Sequence, residues 1–219
     1  MLEFRCLAIL FDLDGVLVDS TAYVERQWRD WAARRGLDVE PFIRVCHGRR
    51  AIETIRLAAP DLDAEAEVAR FHEFVVEDGV RIDPFPGARE LLEGLPGGLW
   101  AVVTSGVRAS AARRIRAAGL PTPRVLVAAE DVEHGKPSPE GYLLAAERLD
   151  VAPTGCVVIE DAPPGVAAAR AAGMRTIGLA STHRVDELRG AHLIIAQLPV
   201  VTSRPIDEGI ELLLSGVAD

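Results

Sequence analysis

The sequence predicts an α/β fold in which a parallel β-sheet carries helices on both faces and an all-helical unit is inserted after the first strand. Two patterns indicate this fold. The apolar run Cys6–Phe11 is continuous, which is typical of a strand buried on both faces. After Gly87, short apolar runs alternate with helical patterns, whereas residues 21–78 contain helical patterns alone. We therefore expect two units with these bounds: 1–17 and 84–219 for the core, 18–83 for the inserted helical unit.

Helices in the inserted unit are predicted from the spacing of apolar residues. Tyr23, Val24, Trp28 and Trp31 recur at three- and four-residue steps, which gives a helix one apolar face. Gly36 is expected to end that helix. Helical spacing then continues without a strong strand pattern. The predicted helices of this unit cover residues 21–35, 41–46, 49–58 and 64–76.

The segment 83–87, with two prolines and a glycine, is expected to return the chain to the core. Beyond it, apolar runs predict strands and amphipathic segments predict the helices between them. Gly173 is expected to close the last of these helices. The predicted helices cover residues 88–95, 108–118, 139–149 and 164–172. The predicted strands cover residues 6–11, 99–104, 124–128, 156–159, 175–180 and 193–195.

Composition narrows the range of functions. The chain has 219 residues, a net charge of −9 and a pI near 5.1, and an acidic surface repels the phosphate backbone of nucleic acids. The apolar runs near the start are far shorter than the ~20 residues of a membrane-spanning helix, and they do not match a signal peptide. The three cysteines are far apart and form no Cys-x-x-Cys motif. We expect a monomeric cytoplasmic protein with reduced thiols and no nucleic-acid or membrane partner.

Polar side chains follow three of the predicted strands. Asp12 and Asp14 follow the first, Thr104 ends the second, and Glu160 and Asp161 follow a third. The carboxyl ends of strands form the ligand-binding edge of an open α/β sheet, so we expect these side chains to meet. Asp and Gly also form ordinary turns, but a turn does not explain the second pair of carboxylates.

Four carboxylates at one edge of a sheet repel one another and need a cation. Oxygen ligands with room for water favour Mg²⁺, and no histidine lies in the cluster to favour zinc. We expect Asp12, Asp161 and a backbone carbonyl near Asp14 to supply ligands, with phosphate and water completing the shell. Glu160 is a further candidate ligand.

Lys136 is the only lysine among 24 basic residues, and the other 23 are arginines. In one interpretation a GC-rich coding bias explains the arginines, and Lys136 is a solvated loop residue. In the other, this position requires a compact ammonium that a planar guanidinium cannot replace. We favour the second, because Lys136 stands between Gly135 and Pro137 in a short loop.

These residue types suit phosphoryl transfer, in which a metal, fixed donors and a cation share the charge of the phosphate oxygens. Thr104 is a candidate donor, although a threonine after a strand also caps helices. Lys136 is the candidate cation. We expect Asp12 to attack phosphorus and form an acyl phosphate, which water hydrolyses. Asp14 lies on the same side of the chain and would protonate the leaving oxygen and then activate water.

Four segments resemble the motifs of haloacid dehalogenase-like hydrolases, in that family's order and across essentially the whole chain. They are FDLDGVLVDS (11–20), VVTSG (102–106), HGKPSPE (134–140) and VVIEDAPPG (157–165). The resemblance implies a Rossmann-like core with a helical cap inserted after the first motif. It also implies these roles: Asp12 as nucleophile, Asp14 as acid/base, Thr104 and Lys136 on the phosphate, Asp161 as a metal ligand, and Glu160 as a ligand or its partner.

Three shorter segments are similar to those of the sugar and polyol phosphatases, including the hexitol, glycerol-3-phosphate and 2-deoxyglucose-6-phosphate types. They are WAVVTSG (100–106), EDAP (160–163) and, in the cap, His47-Gly48. The substrate implied is therefore a small phosphorylated sugar or polyol. Ser105 and Gly106 are expected to contact it from the core. In the cap, His47, Arg49 and Arg50 form either a solvated basic face or contacts to hydroxyls or a second anionic group.

Two other functions remain open. A phospho-aspartate signalling domain also combines acidic residues, a hydroxyl and a lysine, although the helical insert and Asp14 favour rapid hydrolysis. β-Phosphoglucomutases share the motifs, but they carry a histidine at the place of Val24 and a cap arginine near Ala51. Arg49 or Arg50 could take the place of that arginine from a neighbouring position. Within the family a dehalogenase is disfavoured because its reaction needs neither a leaving-group acid nor a metal. Phosphonate hydrolysis through a cap-lysine Schiff base is excluded, because the cap contains no lysine.

Overall fold

The computed structural model describes residues 2–73, 81–207 and 209–214. Within these ranges the strands are β1 (Leu2–Cys6), β2 (Ala8–Phe11), β3 (Val18–Asp19), β4 (Asp83–Pro84), β5 (Trp100–Val103), β6 (Val125–Val127), β7 (Cys156–Glu160), β8 (Arg175–Leu179), β9 (Leu193–Ile195), β10 (Val201–Ile206) and β11 (Gly209–Leu214). The α-helices are α1 (Thr21–Arg35), α2 (Glu40–Cys46), α3 (Ala51–Ala58), α4 (Ala64–Glu73), α5 (Ala88–Glu93), α6 (Arg108–Ala117), α7 (Glu140–Leu149) and α8 (Pro163–Ala171).

A six-stranded parallel sheet with the order β6-β5-β2-β7-β8-β9 forms the centre of the molecule. Its strands β2, β5 and β7 are buried along their whole length. Because successive residues of a strand point to opposite faces, Ile9 and Phe11 join one apolar cluster and Ala8 and Leu10 join another. Residues of α5 and α6 belong to the first cluster, and residues of α7 and α8 to the second. The predicted α/β fold class is confirmed.

The helices between β3 and β4 pack around an aromatic cluster of their own. The ring of Trp28 stacks on Phe42 with centroids 5.6 Å apart and contacts Phe71 at 4.4 Å. Trp31 meets Trp28 edge-on at 5.6 Å. Trp28 and Trp31 belong to the apolar face that the sequence spacing predicted, whereas Tyr23 of that face packs in the first apolar cluster of the core. The helix predicted at 64–76 is observed as Ala64–Glu73, and positions 74–76 lie outside the described residues.

The chain leaves and re-enters the core through two paired segments. β3 and β4 are antiparallel, with Val18 opposite Pro84 and Asp19 opposite Asp83. Residues 83–87 were expected to return the chain to the core, but their pattern did not predict this pairing. The two crossings therefore lie beside each other at the base of the helical insert.

The predicted strand at 6–11 is wrong in one respect, because Leu7 interrupts it. Only β2 enters the parallel sheet, whereas β1 pairs with β11 in a three-stranded antiparallel sheet of order β1-β11-β10. This second sheet was not predicted. Ile210, Leu212 and Leu214 are buried on the first apolar cluster, and burial of these alternate residues stabilises the added layer. None of the helices in the described ranges is long and apolar enough to cross a bilayer.

Candidate active site

The carboxyl ends of β5, β2 and β7 lie side by side because these strands are neighbours in the sheet. Asp12 follows β2, and its backbone N–H donates to the carbonyl of Ile159 at 3.0 Å. Thr104 follows β5, while Glu160 ends β7 and Asp161 comes next. The polar residues predicted at three strand ends are therefore assembled at one edge of the sheet.

Lys136 enters this edge from the loop before α7. Its Nζ donates to the carboxylate of Asp12, to Glu160 Oε1 at 2.5 Å and to the carbonyl of Val103 at 3.4 Å. The residue is only 5% exposed. Burial lowers the pKa of Lys136, but the charges of Asp12 and Glu160 raise it further, so the pKa lies well above its ordinary value. Lys136 is thus a fixed, charged ammonium.

Three carboxylates at this edge, those of Asp12, Glu160 and Asp161, are buried, and Lys136 contacts two of them. Burial raises the pKa of Asp12 to about 7; Lys136 opposes this shift, while Glu160 and Asp14 add to it. Burial, with the charges of Glu160 and Asp12, also holds the pKa of Asp161 well above its ordinary value. A bound cation would stabilise the ionised form of both side chains.

The donor set at this edge fits Mg²⁺. Asp12 and Asp161 offer carboxylate oxygens, and the backbone carbonyl of Asp14 belongs to the turn in which Gly15 closely approaches Asp161. No three His, Cys, Asp or Glu side chains of the described residues gather into a metal site by themselves. A cation here therefore needs further oxygen donors from water or phosphate, which is the way proteins usually hold Mg²⁺.

Glu160 is committed to protein partners rather than to open space. Its Oε1 accepts hydrogen bonds from Lys136 and, at 3.0 Å, from the hydroxyl of Tyr142. Its Oε2 accepts from the backbone N–H of Ala162 at 2.9 Å. The side chain is fully buried, and a Cβ on Gly165 would overlap its carboxylate. The arrangement suits a residue that orients Lys136.

Asp14 is more accessible than Asp12, with side-chain exposures of 27% and 6%. Its Oδ1 accepts from Ser20 Oγ at 2.5 Å. Its Oδ2 accepts from Arg114 Nη2 at 3.0 Å and from Thr104 Oγ1 at 3.4 Å. Asp14 therefore lies at the more accessible side of the site, where its carboxyl can contact a bound ligand.

The turn after Asp14 requires glycine. Gly15 has a φ of +88°, and a Cβ at this position would overlap the carboxylate of Asp161. Ser181 Oγ donates to the carbonyl of Gly15 at 2.5 Å, and Thr182 Oγ1 donates to Asp161. Glycine thus allows the loops after β2 and β7 to approach closely enough to bring their acidic residues together.

The loop after β5 presents small polar groups. The N–H of Gly106 donates to Thr104 Oγ1 at 3.1 Å. Ser105 Oγ donates to the carbonyl of Gly48 at 3.0 Å, which links this loop to the helical insert. Ser105 and Gly106 also line the cavity described next.

A cavity of about 560 Å³ lies between the helical insert and the strand ends. Asp12 and Asp14 line it from the core. Its apolar wall comes largely from the insert, through Val24, Trp28, Ile52, Val68 and Phe71. A space of this kind, with acidic groups at one end, can hold a small ligand.

The three basic residues predicted in the insert all line this cavity. The Nε2 atom of His47 lies 3.8 Å from Glu25, and burial lowers the pKa of His47 although Glu25 and Asp14 oppose the shift. Arg49 Nη1 donates to the carbonyl of Val45 within the insert at 3.0 Å. Arg50 instead reaches across to carbonyl groups of the core.

Sequence reasoning missed two residues of this site, Arg114 and Tyr142. Arg114 is only 5% exposed and contacts Asp14, and a Cβ on Gly106 would lie 2.8 Å from its Nη2. Arginine is so frequent in this chain that its identity gave no signal. Tyr142 is one of two tyrosines in the chain. It lies six residues after Lys136, and this spacing matches no recognisable motif.

Comparison with known proteins supports one family. The family model described as haloacid dehalogenase-like hydrolase matches residues 6–173. The chain is 42% identical over 206 residues to Hexitol phosphatase A of Escherichia coli (strain K12), covering 90% of this chain and 94% of that protein. It is 36% identical over 208 residues to Glycerol-1-phosphate phosphohydrolase 2 of Saccharomyces cerevisiae, covering 89% and 83%.

A solved structure agrees with these matches. A hydrolase from Pseudomonas syringae superposes with a TM-score of 0.79 at 26% identity, covering 88% of this chain and 94% of that one. The family match spans all four strand-end and loop segments that carry the acidic, hydroxyl and lysine side chains. The chain therefore belongs to the haloacid dehalogenase-like hydrolases.

Proposed function

We propose that this protein is a Mg²⁺-dependent phosphatase that hydrolyses a small phosphorylated sugar or polyol through an aspartyl-phosphate intermediate. Its relatives, including the Hexitol phosphatase A and the Glycerol-1-phosphate phosphohydrolase 2 described above, support a phosphoric monoester hydrolase. The observation that carries the mechanism is the buried contact of Lys136 with Asp12 and Glu160 beneath the cavity. It sets a carboxylate and a permanent cation where a phosphoryl group would enter.

In the first step, an oxygen of Asp12 attacks phosphorus while the bond to the leaving oxygen breaks. Asp14 gives its proton to that oxygen, so the sugar or polyol departs as an alcohol. Lys136 and the hydroxyl of Thr104 stabilise the charge on the phosphate oxygens. In the second step, Asp14 takes a proton from water, which attacks phosphorus, releases phosphate and restores Asp12.

Asp12, Asp161 and the backbone carbonyl of Asp14 would hold Mg²⁺, which when bound supplies positive charge for the phosphate oxygens. Glu160 acts through Lys136, because its two oxygens already accept the three hydrogen bonds described above. The chain's own contribution is thus to fix the nucleophile, the cation and the acid at one edge of the sheet.

Residues 18–83 are proposed to be the cap that covers the leaving group. Val24 and Ala51 line the cavity from this unit. Neither side chain can donate a hydrogen bond or hold a second phosphate, as a mutase requires for its bisphosphate intermediate. Hydrolysis is therefore favoured over phosphoryl transfer between sugar positions.

The test is steady-state release of inorganic phosphate from a panel of small phosphorylated sugars and polyols, with Mg²⁺ and with EDTA. We expect turnover with Mg²⁺, none with EDTA, and inhibition by Ca²⁺, whose larger shell misplaces the reacting groups. Repeated turnover distinguishes an enzyme from a signalling domain, which would stop after one phosphorylation. Full activity in EDTA would contradict the metal requirement.

A second experiment separates phosphatase from mutase. The enzyme is incubated with β-glucose-1-phosphate, Mg²⁺ and a trace of glucose-1,6-bisphosphate. We expect inorganic phosphate to accumulate. If glucose-6-phosphate accumulates faster than inorganic phosphate, the mutase assignment replaces the one proposed.

A further inference from the structure

Arg50 of the helical insert binds the core loop that leads to Lys136. Its Nη1 donates to the carbonyl of Val132 at 3.0 Å, and its Nη2 donates to the carbonyl of Glu133 at 2.9 Å. Its Nε donates to Glu53 Oε1 at 2.6 Å, so the guanidinium is held in place by the helix that follows Arg50. Arg50 is therefore directed at the core backbone, although it also lines the cavity.

Glu53 completes this contact from the first turn of α3. Its Oε1 accepts a hydrogen bond from the backbone N–H of Gly135 at 3.2 Å, and its Oε2 accepts from the N–H of Arg50 at 2.9 Å. A Cβ on Gly135 would lie 2.7 Å from Arg50 Nε and 2.8 Å from Glu53 Oε1. The loop thus approaches the pair so closely that only glycine fits without displacement.

The same loop is also held from the core. The carboxylate of Glu140 accepts the N–H groups of Glu133 and His134, each at 2.9 Å. Hydrogen bonds therefore hold the loop from the core on one side and from the insert on the other. Lys136 directly follows Gly135 of this loop, and its ammonium is buried between Asp12 and Glu160.

We propose that Arg50 and Glu53 are positioning residues that couple docking of the cap to placement of Lys136. This inference rests on the proposed phosphatase function for its kinetic consequences. Arg50 holds the carbonyls ahead of Lys136 only while α3 is docked on the core. Docking of the cap over the substrate and placement of Lys136 beside Asp12 then occur together. Arg50 acts on the loop rather than on the substrate.

A pair of substrates distinguishes positioning from substrate binding. Lys136 contacts the phosphoryl group, which all substrates share, whereas a substrate-binding Arg50 would contact the sugar or polyol, which p-nitrophenyl phosphate lacks. We expect Arg50→Met, Glu53→Gln and Gly135→Ala to lower kcat/KM about 100-fold, and by the same factor for both substrates. Gly135→Ala keeps both charged side chains and separates loss of the contact from loss of charge.

The matched controls are Arg56→Met and Gly97→Ala. Arg56 is an exposed arginine of the same helix and pairs with Glu65, and a Cβ on Gly97 meets nothing within 4 Å. Both controls should keep the activity of the original protein. Arg50→Lys should not rescue, because one ammonium cannot reproduce the planar fork that spans two carbonyls.

A second readout does not depend on activity. Lys136 is the only lysine, so reductive methylation followed by peptide mass spectrometry reports its accessibility without competing lysines. We expect the three variants to methylate Lys136 at least about 10-fold faster than the original protein or the controls, with melting temperatures that show they are folded.

Two results would overturn the proposal. One is a loss confined to sugar and polyol phosphates, which would make Arg50 a substrate-binding residue. The other is unchanged methylation of Lys136 in all three folded variants. If the original protein releases no phosphate from any substrate, the proposed function fails, while the methylation experiment still decides whether the pair positions Lys136.

Discussion

The space around the Lys136 ammonium is bounded by Asp12, Glu160 and the carbonyl of Val103. We expect Lys136→Arg to lower kcat by at least about 100-fold although the charge is kept, because the guanidinium is wider and planar and misplaces the nucleophile in this buried slot. Phosphate release measures the effect, and circular dichroism checks the fold. Near-normal kinetics would show that this site needs only a positive charge.

Arg114 holds the carboxylate of Asp14 from α6. We expect Arg114→Met to lower kcat/KM for a sugar or polyol phosphate about 10–100-fold, because Asp14 must protonate an alkoxide in that reaction. The loss for p-nitrophenyl phosphate should be much smaller, since its leaving group departs as a stabilised phenolate. Steady-state kinetics on both substrates measure the difference.

The control for this prediction is Arg116→Met, because Arg116 lies on the same helix and is exposed. It should match the original protein on both substrates. An equal loss on both substrates for Arg114→Met would contradict a role through Asp14 and would indicate general damage to the site.

Most of the site residues that could be predicted from the sequence lie at the end of a predicted strand or directly after it. Asp12, Thr104 and Asp161 follow strands, so the topology alone predicts that they meet. Arg114 lies in the middle of a helix, and its contact with Asp14 depends on how α6 packs against the strand ends. No local pattern encodes that packing, so a buried arginine could not be told from its many exposed counterparts.

Among the helices and loops, Gly48 is a point at which the insert approaches the core closely. Its φ is +75°, and a Cβ there would lie 2.7 Å from that of Ala162, beside Asp161. We expect Gly48→Ala to lower kcat/KM at least about 10-fold, because the insert must move away from the strand ends. Phosphate release measures this effect.

Gly36→Ala is the matched control for Gly48→Ala. Gly36 has a φ of +65°, but a Cβ there meets nothing within 4 Å. Its substitution should cost about 1 kcal/mol of stability through backbone strain and leave kcat/KM unchanged. If both variants lose activity equally, the effect comes from strain and not from the contact with Ala162.

Secondary structure was predictable where an element has a strong local pattern. The parallel strands and most helices have continuous apolar runs or helical spacing, and these are confirmed. The sheet of β1, β11 and β10 was missed because its pairing joins Leu2–Cys6 to Gly209–Leu214, across nearly the whole chain. Pro205 in β10 also argues locally against a strand. It is tolerated because β10 is an edge strand.

For the molecule as a whole, the acidic cluster opposes folding in the absence of metal. Burial raises the pKa of Asp12 from 3.8 to about 7, so between these values the folded protein holds a proton that the unfolded chain releases. Stability therefore falls as pH rises through this window. We expect Asp12→Asn to lose activity by at least about 1,000-fold and yet to melt at a higher temperature in EDTA.

The gain in melting temperature should grow from about pH 5 to about pH 8, because only the original protein must ionise a buried Asp12. A gain of 1 kcal/mol corresponds to about 2–4 °C for a chain of this size. Mg²⁺ should stabilise the original protein and have less effect on Asp12→Asn. Thermal melts at both pH values, with and without Mg²⁺, measure these shifts. A lower melting temperature for the variant would contradict the prediction.

The pairing of β3 with β4 has a consequence for how such a chain can diversify. The insert begins and ends at adjacent points, because its two junctions with the core are the paired antiparallel strands β3 and β4. The gene segment between them can be replaced or remodelled by recombination without interrupting the parallel sheet or its strand-end residues. Descendants of one ancestor can thus inherit the chemistry of the core intact and acquire a new selectivity in a single exchange.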